Sequence, residues 1–314
     1  MYAKCLSENE HNQKGDITKK TILNLHPGEI VEVRSQEEIL ATLDENRELG
    51  KLSFTSEMLK FCGRRFRVLN YLERIMVEGI GIRKIDNAVI LEGVTCDGEF
   101  HEGCGRTCQL IWREEWLKKV DSQENASMQA ATQSIDYSGE KDKAIVPCQS
   151  VNLVKATSLL SWNIFPNSNK DTKQSFGLVK RLYSFLVSIS IRLHTIGKKK
   201  YDVSGRLKKT PTQSLHLRVG ELVQVKSKEE ILETLDSQGR NRGLGFSPEM
   251  MKFCGEKHRV GKRVEKAINE ANGNLRQIAN TVILEEVTCN GGAHGDCLRN
   301  CFCLWREIWL KRVD

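Results

Sequence analysis

Apolar positions along this chain fall into short runs, which favours small elements. Glu29–Arg34 alternates apolar and polar residues and is rich in β-branched side chains, the period-two pattern of a half-buried strand. Ser35-x-x-Glu38 and, much later, Ser227-x-x-Glu230 are capping boxes, each opening a short helix such as "EEILATL". Ser247-Pro248 places an N-cap and a first-turn proline before "EMMKFC", and Gly255 supplies the stop, so Cys62 and Cys254 each close a short helix. "RFRVLNYLER" and "NAVILEGVT" predict strands joined across a glycine-containing turn. The last element is ambiguous. Cys104, Cys108, Trp112, Trp116 and Val120 are spaced by four, as are Cys297, Cys301, Trp305, Trp309 and Val313, which predicts one face of a helix. The run from Leu110 to Leu117 leaves a strand open as the alternative.

These patterns occur twice. "PGEIVEVRSQEEILATLD" (27–44) matches "VGELVQVKSKEEILETLD" (219–236), "SFTSEMLKFCG" (53–63) matches "GFSPEMMKFCG" (245–255), and "NAVILEGVTC" (87–96) matches "NTVILEEVTC" (280–289). The offset is 192 residues up to Val68/Val260 and 193 from Asn87/Asn280. Copies of this length are domain-sized rather than solenoid units. The expected architecture is therefore α+β: two homologous small domains of short strands and short helices, at 21–121 and 207–314. The opening G-E-x-V-x-V resembles the first strand of Src-homology-3-like barrels. Residues 1–20 are expected to be disordered, and 122–206 to form a linker without counterpart in the repeats. Its polar part, "DSQENASMQAATQSIDYSGEKDK", has the composition of a disordered segment. Its basic, apolar part, 176–200, is open to two readings: a membrane-surface helix, or a segment docked on one repeat.

Composition changes the picture only at the margins. A mean hydropathy of −0.43, the lack of an eighteen-residue apolar run and a polar N-terminus predict a soluble, cytoplasmic chain without a secretory signal. The net charge of +7 raises nucleic acid as a partner, but residues 1–121 carry 18 basic against 21 acidic residues, so the excess lies elsewhere. "FCGRRFRV" interleaves arginine and aromatic residues as a nucleic-acid patch would, whereas the second copy reads "FCGEKHRV". Nucleic acid is accordingly a minor alternative.

The eleven cysteines matter more. In a reducing compartment, clustered cysteine and histidine predict metal rather than disulfides. Cys96-x4-His101-x2-Cys104-x3-Cys108 recurs as Cys289-x4-His294-x2-Cys297-x3-Cys301, with every gap kept while the residues between them differ. Three thiolates and an imidazole at fixed gaps form a closed structural zinc set, which predicts two zinc ions, one stapling each repeat. An iron–sulfur cluster is the alternative cofactor. Cys62 and Cys254 are alternative ligands that would displace the histidines. No catalytic residue is predicted, because neither an open three-ligand site nor an oriented nucleophile is indicated. Arg113-Glu114 and Arg306-Glu307, each following a tryptophan, are local ion pairs or a recognition surface.

The run "NTVILEEVTC", followed by His294, Cys297, Cys301 and "WREIWL", with "PEMMKFCG" upstream, resembles an uncharacterised bacterial family with this Cys/His motif. The resemblance covers both repeats and not the linker. The tandem form departs from the single-copy pattern, and the resemblance brings no activity with it. The function expected is a non-enzymatic, tandem zinc-stabilised module that binds a protein partner, with two sites on one chain adding avidity. The alternative is a redox or other enzyme using a cluster or a reactive cysteine in each repeat.

Overall fold

The computed structural model describes residues 22–120, 148–160 and 203–313. The readings for the N-terminal twenty residues and for 176–200 lie outside them. Strands dominate, with a few short helices, as expected of a small α+β fold.

In the first repeat the strands are β1 (Ile30–Val33), β2 (Glu48–Leu49), β3 (Leu52–Ser53), β4 (Arg65–Val77), β5 (Gly81–Thr95), β6 (Gln109–Arg113) and β7 (Leu117–Lys119). The main sheet has the order β6-β5-β4-β1-β7, and β1 pairs antiparallel with both β4 and β7. After β8 (Ser158–Leu159), the second repeat follows the same order with β16 (Phe302–Arg306), β15 (Thr281–Thr288), β12 (Lys257–Arg263), β9 (Leu222–Val225) and β17 (Leu310–Arg312). Two short hairpins complete it: β10 (Arg240–Asn241) with β11 (Leu244–Gly245), and β13 (Lys266–Ile268) with β14 (Leu275–Gln277). Both capping boxes form: Ser35 caps α1 (Gln36–Leu40), and Ser227 caps its counterpart Lys228–Leu232. "EMLKF" and "EMMKF" adopt 3-10 turns, Ser56–Phe61 and Pro248–Phe253, ended by Cys62 and Cys254.

The final element corrects the helical expectation. Cys104–Thr107 is loop, "QLIWR" is strand β6 with all five residues buried, and Glu114–Trp116 is a single 3-10 turn before β7. The centre of β6, "LIW", is buried on both faces and wholly apolar, so it shows no alternation. The four-residue tryptophan spacing comes instead from the 3-10 turn, which swings both rings inward. Trp112 and Trp116 meet edge to face at 6.4 Å, and both are fully buried. Trp305 and Trp309 repeat the arrangement at 6.5 Å.

Part of the stretch expected to be linker belongs to the fold. Gln149–Ala156 forms α2, and β8 pairs with β5. Leu153 on α2 is fully buried in the first core, a burial that stabilises by about 1.5–3 kcal/mol. Gln149 spans the outer edge of β6. Its Nε2 donates to the carbonyls of Ser53 (2.8 Å) and Ile111 (3.0 Å), and its Oε1 accepts from the Ile111 N–H (2.9 Å). Asn152 Nδ2 donates to Glu48 Oε1 (3.0 Å) and Ser53 Oγ (2.7 Å). A glutamine side chain thus takes the place of a neighbouring strand and satisfies backbone groups that would otherwise be buried unpaired.

The two repeats meet through equivalent loops. Gly105 N donates to Lys266 O (2.8 Å), and its counterpart Leu298 N donates to Arg74 O (3.2 Å), the carbonyl equivalent to that of Lys266. The pairing of each loop with the same strand of the other repeat is that of a two-fold, self-complementary interface within one chain. At this interface each repeat places an ion pair of its own, Arg299–Glu270 (2.6 Å) and Arg106–Glu78 (2.6 Å), and Arg106 reaches across to within 3.6 Å of Glu270.

Candidate metal centres

The loop after β5 begins as a tight hairpin. Gly98 has φ +82°, and a side-chain carbon there would stand 2.0 Å from the Cys104 carbonyl oxygen; at Gly291 (φ +77°) it would stand 1.9 Å from that of Cys297. Only glycine meets both demands. The fold-back is held by His101 N and Gly103 N, which donate to Gly98 O, and by Asp97 Oδ1, which accepts from Glu99 N. The hairpin returns the histidine over the first cysteine of the motif.

The partner waiting there is a carboxylate. Glu57, Cys96 and His101 place one ligand atom each within 4.8 Å of one another, and so do Glu249, Cys289 and His294. Each glutamate sits early in the 3-10 turn that Cys62 or Cys254 closes. In the first repeat His101 Nε2 lies 3.1 Å from Glu57 Oε1, and both side chains are almost wholly buried. Glu57 Oε2 stands 3.0 Å from the same nitrogen but has no donor aligned on it, although it is buried. A buried carboxylate oxygen without an aligned donor is costly unless a cation satisfies it. Burial first, then the Glu57 charge and hydrogen bond, push the Cys96 thiol pKa far up, with smaller contributions from Cys108 and Cys148.

In the second repeat His294 Nε2 lies 2.8 Å from Glu249 Oε1, the Cys289 thiol donates to the same oxygen at 3.1 Å, and Gly291 N donates to Oε2 at 3.1 Å. Here 37 % of the His294 side chain is exposed, against 4 % for His101. Burial would raise the Glu249 pKa, but hydrogen bonds from His294 and Cys289 carry it below the usual carboxylate value. The Glu249 hydrogen bond raises that of His294 against the opposing effect of burial. The Cys289 thiol is pushed up by burial and then by Glu249.

The four-residue ligand sets expected from spacing are therefore divided. Cys96, His101, Cys289 and His294 join the triads; Cys104, Cys108, Cys297 and Cys301 belong to neither. Cys104 Sγ accepts from Ile268 N (3.4 Å) and Cys297 Sγ from Met76 N (3.1 Å), each across to the other repeat. Cys108 Sγ accepts from Ser150 Oγ on α2 (3.6 Å), and burial pushes Cys301 up to about 12. The kept gaps after His101 and His294 thus coincide with contacts between repeats. Cys62 and Cys254 are also outside the triads, half-buried against the cores. Burial, then Glu37, raises Cys62 to about 11. The glutamates went unnoticed in the sequence, although "SEMLKFCG" and "PEMMKFCG" both carry one at the same place.

Arg113, Glu114, Arg306 and Glu307 do not form a recognition surface, because all four are buried. Arg113 donates to the carbonyls of Leu49, Asp86 and Gly50, and Arg306 to those of Asn241, Ala279 and Arg242. Glu114 accepts from the Leu23 and Leu25 N–H groups, and Glu307 from those of Leu215, His216 and Leu217. The side chains are spent on pinning backbone. In "FCGRRFRV", Arg65 pairs with Glu32 (3.3 Å) and Arg67 with Glu92 (3.5 Å), which lowers the free positive charge of that stretch.

Compared with known proteins, the chain matches no family model, no curated protein and no solved structure. Among the described residues no helix is long and apolar enough to cross a membrane.

Proposed function

We propose that this chain is a tandem metal-stabilised interaction module, non-enzymatic, holding one zinc ion in each repeat and presenting the pair of repeats to a protein partner. Each repeat is read as a small barrel of the Src-homology-3 kind: its first strand pairs with its last, and a 3-10 turn precedes that last strand. The observation that carries the metal reading is the recurrence of one carboxylate, one thiol and one imidazole at equivalent positions of both copies, with a buried Glu57 oxygen that has no aligned donor. That donor set suits zinc, which accepts oxygen, sulfur and nitrogen together, better than an iron–sulfur cluster, which takes mainly thiolates. Glu57 and Glu249, Cys96 and Cys289, and His101 and His294 would hold the ions, and binding would release the thiol protons.

The same geometry weighs against the enzyme alternative. The thiolate is the reactive form of cysteine, and Cys289 gives its hydrogen to a carboxylate while burial and that charge keep it protonated. Elemental analysis of chain purified without chelator should give about two zinc ions and a colourless solution. Glu57→Gln and Glu249→Gln should each remove one ion. A metal-free chain sinks the proposal, and a brown one carrying iron moves the assignment to a cluster.

A further inference from the structure

The seat that α2 occupies on the first repeat has a counterpart on the second that no described residue fills. Leu304 pairs with Ile283 as Ile111 pairs with Ile90, so its N–H and C=O also face the outer edge of β16. Ile111 is 1 % exposed beneath Gln149, whereas Leu304 is only half-buried. Ser53 is fully buried beneath α2, but its equivalent Gly245 is exposed.

The chain carries a second copy of the α2 sequence. "QSVNLVK" (149–155) recurs as "QSFGLVK" (174–180), with Gln, Ser, Leu, Val and Lys in register. These later residues lie outside the described structure, and the likeness is one of sequence. The two differences match differences between the seats. Asn152 bonds Glu48 and Ser53 Oγ; in the second repeat those positions are Arg240 and Gly245, and the asparagine's place is taken by Gly177. Val151 packs on the turn of the second repeat, where a side chain on Gly273 would stand 3.2 Å from it. In the second copy of the sequence Phe176 stands where Val151 does, and the equivalent turn of the first repeat leaves Ile80 50 % exposed. Arg299 Nη2 donates to Ser150 Oγ (2.6 Å), and its side chain is 3 % exposed; Arg106, its equivalent, is 23 % exposed and would gain the same partner from Ser175.

We infer that Gln174–Lys180 docks on the second repeat as α2 docks on the first, with Gln174 spanning both backbone groups of Leu304 and the Gly245 carbonyl, and Leu178 entering the second core. The chain from Leu160 to Gln174, fourteen residues on, can reach about 45–50 Å when extended, ample for the crossing. The inference is independent of any metal.

Hydrogen exchange on the full chain tests it. The Leu304 amide should exchange on the order of tenfold faster in Gln174→Ala than in wild type, the scale of one lost buried hydrogen bond. The Ile111 amide should be unchanged, while Gln149→Ala should do the reverse. Leu178→Asp, which removes the apolar anchor without touching either repeat, should reproduce the Gln174→Ala result. Equal Leu304 exchange in wild type and both variants overturns the inference. So does protection that scales with protein concentration, which would mean a second copy supplies the segment, or protection that appears only with anionic vesicles, which would mean a lipid surface claims it.

Discussion

The two repeats share strand order, caps and triads, yet their triads live in different surroundings. Glu57, Cys96 and His101 are buried, whereas the second triad is partly open, chiefly at His294, while the Glu249 side chain stays 5 % exposed. The triad residues are identical, so the difference comes from what lies over them. The first turn of α2 rests beside the first triad, with Gln149 Nε2 3.3 Å from the Sδ of Met58, the residue after Glu57. No described residue does this for the second repeat. Among the described residues, then, one set of side chains stands in two settings, because only the first repeat has its covering element among them.

The asymmetry extends to the ion pairs that each repeat places at their interface, and the largest test is there. Glu270 and Arg299 are buried, whereas Glu78 is 44 % exposed. Glu270→Gln strands a buried guanidinium and should cost about 3–5 kcal/mol in urea unfolding. Glu78→Gln should cost at most about 1 kcal/mol. Equal costs would break the comparison. The same pair sets a pH dependence. Burial alone would raise the Glu270 pKa, but Arg299 and Arg106 hold it below the usual carboxylate value. The unfolded state therefore binds the proton more readily, so the stabilisation is complete above about pH 4.3 and is lost as pH falls through the lower folded value. Acid titration followed by tryptophan fluorescence should show wild type losing stability in that window and Glu270→Gln losing less.

Next in size is the covering helix itself. Leu153→Ala should destabilise by about 2–5 kcal/mol, and Gln149→Ala by about 1–3 kcal/mol through the unpaired Ile111 and Ser53 groups. Both should raise hydrogen exchange in the first repeat before the second. The smallest effect concerns metal release. In Leu178→Asp, which leaves the second seat empty, the proposed second site should give up its ion to a chelator first, with affinity about 10–100-fold weaker, the scale on which surrounding contacts tune such sites. Simultaneous release would mean that the burial difference does not reach the metal.

Much of this was legible in the chain. The capping boxes, the strand at 30–33, the twofold repeat and two of the three residues of each triad follow from local chemistry acting over a few residues. Spacing misled where it was taken as the signature of one element. Cys104, Cys108, Trp112 and Trp116 are four apart, but they belong in turn to a loop, a strand and a 3-10 turn, and the regular gap reflects contacts made in different directions. Arg113 and Glu114, charged and adjacent, had the look of a surface, yet both were drawn inward by backbone groups that only the folded sheet presents.

What the sequence by itself determined is therefore local: caps, turns that demand glycine at 98 and 291, apolar strands, and the duplication. The tertiary structure decided which side chains meet. Glu57 lies 39 residues before Cys96 and reaches it only because β4 and β5 run out and back between them, and the Cys104 sulfur finds its donor on Ile268 only because the two repeats pack face to face. Contacts between distant segments depend on strand register and packing, and no window of neighbouring residues contains either.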